Sequence, residues 1–306
     1  MSEAWNELLP KRIHRKQDVG ETMARVGLGL TVYLDEPGYW AFGGAERWAR
    51  RFLELVPREE LCFYDSSTRQ GWRRIDLQEQ ELLLNELDAS RAGRGMRHLL
   101  QVTLADDPGA PRRGFVYREV HPAQSPRVGY MQFFFGNDQP PDDLLALSIE
   151  LATQAPIVSA VGGWLARHNP RHALGAYDGL LAFARRYLGM DIQRPDAHSF
   201  HARGGIPSVG WLTLLGEELT ARFEAEVDAD HPALTTMRFP SSLLLRAGPR
   251  PELGDCNIME YPDAQLEAAQ RLLPLYVGLE PFPGDFGESE LTARWQHRFI
   301  HPHEWL

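Results

Sequence analysis

Hydrophobic and polar positions along the chain predict strands and helices that alternate in both halves. Buried strands are predicted by continuous apolar runs at residues 26–34, 157–166, 210–215 and 243–247. Three further strands, separated by turns that contain proline and glycine, are predicted at 97–105, 114–120 and 128–135. Helical spacing of apolar positions, or a typical helix start, predicts helices at 45–56, 77–88, 140–154, 174–187, 217–227 and 262–273. The three successive strands indicate an antiparallel meander, and the interspersed helices favour a mixed α+β fold.

The character of the sequence changes near residues 25 and 280, which divides the chain into three parts. Residues 1–25 mix basic, aromatic and proline residues with little periodicity, and they are expected to form an N-terminal arm. Residues 26–280 hold the strand and helix signals, whose order restarts and allows two lobes, 26–154 and 155–280. Residues 281–306 form a tail with two tryptophans and three histidines. This tail is expected to dock on the body, because dense exposed aromatic residues are unfavourable.

Composition and length exclude several classes of protein. A chain of 306 residues, 43% hydrophobic and 24% charged, can bury a core without a metal or a disulfide, and this composition excludes intrinsic disorder. No apolar run reaches the ~18–20 residues of a membrane-spanning helix, and the first residues contain no apolar segment typical of a secretion signal. The cysteines Cys62 and Cys256 lie far apart, which predicts small core residues in a reducing, cytoplasmic setting.

Charge is distributed unevenly along the chain. Residues 1–195 hold 24 basic and 25 acidic side chains, whereas residues 196–306 hold 8 and 17, so the last third carries nearly all of the net charge of −10. A strongly acidic region repels nucleic acids and anionic membranes and attracts basic partners. Acidity also keeps a surface soluble, so charge alone leaves both interpretations open.

An acidic segment follows the predicted strand at 210–215. Six acidic residues and one arginine occur between Glu217 and Asp230. On a helix, Leu219 and Phe223 face inward because they are four residues apart. The opposite face of that helix then carries Glu217, Glu224 and Asp228. We therefore predict that a partner is bound by Glu217, Glu224, Asp228, Asp230, Asp285 and Glu288.

Signatures of common catalytic sites are absent from the sequence. The segment around Ser208 lacks the first glycine of the Gly-x-Ser-x-Gly turn that presents a hydrolase nucleophile, and a proline precedes the serine. The chain contains no phosphate-binding GxxxxGKS/T sequence, and Gly27 and Gly29 lie within a predicted strand rather than before a helix. We predict no catalytic residue and no cofactor.

Two groups of histidines keep an alternative open. The group near the C-terminal end consists of His297, His301 and His303. Pro302 interrupts a helix on which two imidazoles four residues apart could share a metal. His198 and His201 lie in a polar loop and are expected to face solvent. We predict no bound metal, and the alternatives that remain are a small-molecule enzyme centred on these histidines and a regulatory adaptor.

Aromatic residues and glycines in the predicted strands favour a packed core. Phe133, Phe134 and Phe135 alternate between the two faces of a strand, so cover is needed on both sides. Trp211 lies in the apolar run GWLTLL and is predicted to be buried. The pair Gly162–Gly163 predicts either a close approach of two backbones or a bulge.

Three segments of the second half carry a family resemblance. They are LLAFARRYLGMDI at 180–192, GWLTLLGEEL at 210–219 and RAGPRPELGDCN at 246–257, followed by Pro262 and Leu275. In order and spacing they resemble the bacterial type VI immunity family for VRR-Nuc effectors, over roughly residues 26–280. Members of this family usually have Asn before WLT, where this chain has Gly210.

The resemblance implies an immunity protein without enzyme activity. Such a protein binds and silences a cognate nuclease toxin of the PD-(D/E)xK type, delivered by a type VI secretion system, by one-to-one occupancy. A nuclease surface that holds DNA is basic, and an acidic protein face complements it. The implied partner is thus a basic protein surface, with no nucleic acid, membrane or cofactor.

Overall fold

Strands in the described part of the chain form one continuous sheet. A computed structural model describes residues 22–36, 39, 43–67, 69–84, 87, 101–120, 126–226, 234–284, 286 and 288–305. Within these residues the strands are β1 Ala24–Leu34, β2 Phe63–Ser66, β3 Arg69–Arg74, β4 Gln101–Ala105, β5 Gly114–Arg118, β6 Gly129–Phe134, β7 Ile157–His168, β8 Asp191–Ile192, β9 Leu212–Gly216, β10 Leu234–Phe239 and β11 Ser242–Ala247. Their order is β10-β11-β9-β7-β1-β6-β5-β4-β2-β3, and β8 pairs with β7 outside this path.

Strand β1 lies in the centre of the sheet and pairs antiparallel with both β6 and β7. The successive antiparallel pairs β4–β5 and β5–β6 confirm the predicted meander. Because β1 belongs to the first half of the chain and β7 to the second, the proposed lobes 26–154 and 155–280 share one sheet. Most of the expected arm, 1–25, lies outside the described residues, and the three-part division of the chain stays a prediction.

Helices pack against the centre of the sheet, whose strand β7 is buried on both faces. The helices of the described residues are α1 Gly44–Leu55, α2 Leu77–Leu84, α3 Pro141–Gln154, α4 Ala173–Arg186, α5 Pro195–His198, α6 Glu217–Glu226, α7 Asp263–Leu272, α8 Ser289–Gln296 and α9 Pro302–Trp305. Eleven of the twelve residues of β7 are buried, and successive strand residues point to opposite faces. Helices α3 and α4 both contact β1 and β7. The mixed α+β prediction is confirmed, and within the described ranges no helix is long and apolar enough to cross a membrane.

The core contains the aromatic residues that the sequence predicted there. Trp211 is 1% exposed, and its indole Nε1 donates to the Gly248 oxygen at 3.2 Å. Gly163 has a φ of +150°, and a Cβ at this position would lie 3.1 Å from the Trp211 nitrogen. The predicted close approach of two backbones is therefore confirmed. Phe133, Phe134 and Phe135 are all buried.

The C-terminal tail packs on the body through aromatic side chains. The buried aromatic residues of this segment are Phe282, Phe286, Trp295, Phe299 and Trp305. The ring of Trp295 meets the edge of the Phe282 ring at a centroid distance of 5.2 Å. The Trp305 indole donates to the Ala184 oxygen at 2.9 Å, which ties the end of the tail to α4.

One buried arginine fixes the tail to the segment before β8. The Arg298 side chain is 0% exposed, and its guanidinium donates to the oxygens of Leu188 at 2.9 Å and Met190 at 3.3 Å. A nitrogen of the same guanidinium lies 3.4 Å from the carboxylate of Asp191. The guanidinium also stacks 4.0 Å from the ring centre of Trp295. Arg298 thus connects a terminal segment with strand β8 through polar contacts that exclude water.

The structure also departs from the sequence predictions. The β2–β3 hairpin, strand β10 and helix α8 were not predicted, and the predicted strand residues 97–100 lie outside the described part. Placing both cysteines in the core is wrong, because Cys62 and Cys256 are half-buried, and neither forms a disulfide. Cys256 packs against the core from its rim.

Candidate partner-binding surface

A groove of about 240 Å³ lies where strand β9 ends and helix α6 begins. Its lining includes the first residues of β7 and Asp35, which follows β1. The Asp35 nitrogen donates to the Pro156 oxygen at 2.8 Å, which fixes Asp35 against the start of β7. The first residues of α6, Glu217 and Glu218, and the turn residue Ser241 also line the groove. The central strands of the sheet therefore position the groove.

Gly216 makes the tight join between β9 and α6. A Cβ at this position would lie 1.9 Å from the Ile157 oxygen, so only glycine fits. Leu219 and Phe223 then turn inward and are 1% and 2% exposed, which confirms the predicted apolar face of this helix. The Thr220 hydroxyl donates to the Leu215 oxygen at 3.0 Å and ties the first turn to the strand. The inward face therefore directs Glu217 and Glu218 toward solvent.

Three carboxylates and one guanidinium line the groove. Arg203 donates to the carboxylate of Asp35 and, at 3.0 Å, to the Asp35 backbone oxygen. Glu217 and Glu218 are exposed and form no ion pair with another described residue. Both lie in the first turn of α6, where the helix dipole favours negative charge. The groove thus keeps an excess of negative charge at its mouth, which attracts a cationic side chain.

The structure places the predicted partner-binding residues in different parts of the molecule, and several lie outside the described residues. Glu217 lines the groove. Glu288 is exposed and directly precedes α8. The side chain of Glu224 in α6 lies outside the described part of the chain, as do the residues Asp228, Asp230 and Asp285. Of the six predicted residues, Glu217 alone lines the groove within the described part of the chain.

Sequence reasoning missed three charged residues of the groove, namely Asp35, Glu218 and Arg203. Asp35 and Arg203 are 168 positions apart in the sequence, and only the order of the strands brings them together. Glu218 neighbours a predicted residue, and its place in the first turn of a helix was the available signal. Distance along the chain therefore explains two of the three omissions.

The expectation that His198 faces solvent is wrong. His198 is 5% exposed, and burial, followed by the charge of Arg194, lowers its pKa to about 3. Its imidazole is therefore uncharged at neutral pH. His201 is exposed, as expected. Near the C-terminal end His297 is half-buried, while His301 and His303 are exposed.

Potential metal ligands do not cluster in the described residues: no group of three His, Cys, Asp or Glu side chains is close enough to hold an ion. Ser208 is also explained by packing. Its buried hydroxyl donates to the Asp191 carboxylate at 3.0 Å, and the Gln193 amide donates to the same carboxylate at 2.7 Å. These contacts complete the polar cluster around Arg298.

Comparisons with known proteins show what the chain is similar to. The family model TsiV, type VI immunity for VRR-NUC, matches residues 46–299. No curated protein gives a significant match. Among solved structures, the Pseudomonas aeruginosa T6SS protein PA0821 superimposes with a TM-score of 0.74 at 16% sequence identity, covering 94% of this chain and 88% of that chain. At this identity the likeness shows a shared fold, and the family match confirms the resemblance carried by the second-half motifs.

Proposed function

The chain belongs to the TsiV family of type VI immunity proteins for VRR-Nuc effectors, and from this premise we propose that it neutralises its cognate nuclease by one-to-one binding through an acidic face. The observation that carries the proposal is the groove at the start of α6, where the carboxylates outnumber the single guanidinium. A nuclease must present cationic side chains to the phosphates of DNA. An acidic face complements such a surface and accelerates encounter with it.

Glu217 is the centre of the proposed contact. We propose that further acidic residues also contact the partner: Glu218 and Asp35 from the groove, and Glu224, Asp228, Asp230, Asp285 and Glu288 from the sequence prediction. The partner binds there through basic side chains. The place of action is the cytoplasm, because the DNA that a nuclease toxin attacks lies there.

Occupancy rather than turnover is the proposed mode of action. The proposal needs no catalytic residue, metal or cofactor in this chain. Titration of a fixed amount of nuclease should therefore reach complete inhibition near one equivalent. Binding of the two proteins, measured without a nuclease assay, should be unchanged when a chelator is added. Inactivation by a small fraction of an equivalent would contradict the proposal, since it would require turnover.

Charge reversal in the groove tests the interface. Glu217→Lys with Glu218→Lys should slow association with the purified VRR-Nuc domain about 10-fold or more at low salt, because electrostatic steering is lost. The melting temperature should change little, since both side chains are exposed. Surface plasmon resonance at two salt concentrations gives the association rate.

A matched control separates local charge from net charge. Glu59→Lys with Asp142→Lys makes the same change in net charge at two exposed positions of the first half, and Asp142 also lies in the first turn of a helix. This control should associate at close to the wild-type rate. Equal association rates for the two double variants would show that the groove does not belong to the interface. In that case the triple variant Glu217→Lys, Glu224→Lys and Asp228→Lys tests the other acidic residues predicted to bind the partner.

A further inference from the structure

Two large apolar side chains project into solvent from the loop between β11 and α7. Ile258 and Met259 are 62% and 79% exposed, although they are neighbours in the sequence. A short 3-10 turn, Cys256–Ile258, carries the first of them. Together they form a small continuous apolar surface, and larger surfaces of this kind mark sites that bind another protein. We call residues 255–260 the apolar loop.

The apolar loop is held rigidly by hydrogen bonds across its base. Asp255 and Glu260 exchange two backbone hydrogen bonds, of 2.8 and 3.1 Å. The Asp255 carboxylate accepts from the Asn257 nitrogen at 3.1 Å and from the Arg186 guanidinium at 2.6 Å. These contacts anchor the loop to the end of helix α4. A loop with a fixed shape loses little conformational entropy when it binds.

Met259 adopts a backbone conformation that suits glycine better than methionine. Its φ of 56° makes it the one non-glycine residue with positive φ in the described part of the chain. Such a conformation disfavours a residue with a Cβ, and strain of this kind concentrates at functional sites. The methionine side chain contributes nothing to the core, because it is the most exposed large apolar residue described. Its side chain is therefore free to contact another molecule.

Acidic residues predominate in the sequence on both sides of the apolar loop, between Arg250 and Arg271. Residues 251–270 contain five acidic residues and no lysine or arginine. Glu260 and Asp263 are exposed and form no ion pair with another described residue. This rim fits a partner whose pocket is edged with basic side chains. A second copy of this chain would bring two acidic rims together, which is unfavourable.

We propose that Ile258 and Met259 form an apolar anchor that enters a pocket edged by lysine and arginine on the VRR-Nuc effector. The inference rests on the proposed immunity function and adds a second contact to the acidic groove. The two contacts differ in kind. Exposed acidic residues mainly raise the association rate, whereas a desolvated apolar anchor mainly slows dissociation. Interfaces commonly concentrate their affinity in such central side chains.

Substitution of the two anchor residues tests the proposal. The probe is the cognate VRR-Nuc effector, purified as a catalytically inactivated nuclease domain. Met259→Gly should raise the dissociation constant at least 10-fold, mainly through faster dissociation, while its melting temperature stays equal or rises because glycine relieves the strain. Ile258→Ser should have a similar effect on binding. The double variant should have a dissociation constant at least 100-fold higher than that of the wild type.

The control replaces an equally exposed leucine away from the loop. Leu174 is 65% exposed at the start of α4, whereas Arg186, which holds the loop, lies at the end of that helix. Leu174→Ser should bind within 2-fold of the wild type. Binding of the double variant within 2-fold of the wild type would overturn the anchor and leave the immunity function standing. If the wild-type chain does not bind the effector, both the anchor and the immunity function are overturned. If the wild-type chain is a dimer and the double variant is a monomer, the loop binds a second copy of this chain and the effector is not its partner.

Discussion

Replacing Arg298 with methionine probes how the C-terminal tail is held. Methionine has a similar length and fills most of the space, so the change removes mainly the charge and the hydrogen bonds. It leaves the buried Asp191 carboxylate, 6% exposed, without its cation. It also leaves the backbone oxygens of Leu188 and Met190 without the donors that lie 2.9 and 3.3 Å from them.

The expected loss of stability follows from these contacts. Breaking a buried ion pair by removing one partner lowers the free energy of unfolding by about 3–5 kcal/mol. The loss of stacking on the Trp295 ring, at 4.0 Å, acts in the same direction and contributes roughly 1–2 kcal/mol. Contributions in one network are not additive. We therefore expect Arg298→Met to destabilise the chain by about 3–5 kcal/mol in total.

Urea unfolding at pH 7.5, followed by tryptophan fluorescence and circular dichroism, measures this loss. Arg294→Met is the control, because Arg294 is exposed on α8 and pairs only with Glu290, one helical turn away, among the described residues. An exposed pair of this kind is worth at most about 0.5 kcal/mol. In an Asp191→Asn background, Arg298→Met should be less harmful by about 1–3 kcal/mol, because the two residues are coupled. A loss below about 1 kcal/mol in the wild-type background would refute the reasoning.

Trp211→Ala should lower the free energy of unfolding by about 3–5 kcal/mol, measured in urea, because the indole is buried; unchanged stability with lost binding would instead assign Trp211 to the interface. The urea midpoint should fall as the pH drops below about 6.5, because burial lowers the pKa of His198 to about 3 and that of His168 to about 4, so the unfolded chain takes up protons that the folded chain does not. His198→Gln should make the urea midpoint fall less steeply with decreasing pH. An equally steep fall in the variant and the wild type would contradict this assignment. Gly216→Ala should lose about 1–3 kcal/mol in thermal unfolding because its Cβ would clash with a β7 oxygen, whereas Gly278→Ala, with open space around it, should be neutral.

Elements with a buried apolar pattern could be predicted from the sequence. The run at 26–34 became β1, Ala24–Leu34, and the helix expected at 174–187 became Ala173–Arg186. Such positions are buried in the strand or helix itself, so a short window of sequence carries the signal. Motif order in the second half was likewise sufficient to indicate the family that matches residues 46–299.

Edge elements and long-range contacts could not be predicted in the same way. Strand β10, LTTMRF, has a mostly exposed or half-buried pattern, and the hairpin strand RQGWRR is rich in arginine. Strand β10 alternates only over its last four residues, which is a short signal, and RQGWRR shows no alternation of apolar and polar residues. The burial of His198 depends on packing from distant segments, while its own loop, PDAHSFHARGG, reads as polar. The groove was predicted only at Glu217, because strand order brings Asp35 and Arg203 together from positions 168 apart.

The central position of β1 has a consequence for when the newly made protein can finish folding. Strand β1 leaves the ribosome early, but its partner β7 ends only at His168, and Arg298 reaches Asp191 only when translation is nearly finished. At about 5–20 residues per second, the 306 residues take roughly 15–60 s to synthesise. Strand pairing between distant segments is intrinsically slow, and the contact of Arg298 with Asp191 forms only after that delay. Protection made on demand would arrive after an injected nuclease had begun to cut, so the cell has to hold a folded reserve before contact with an attacker.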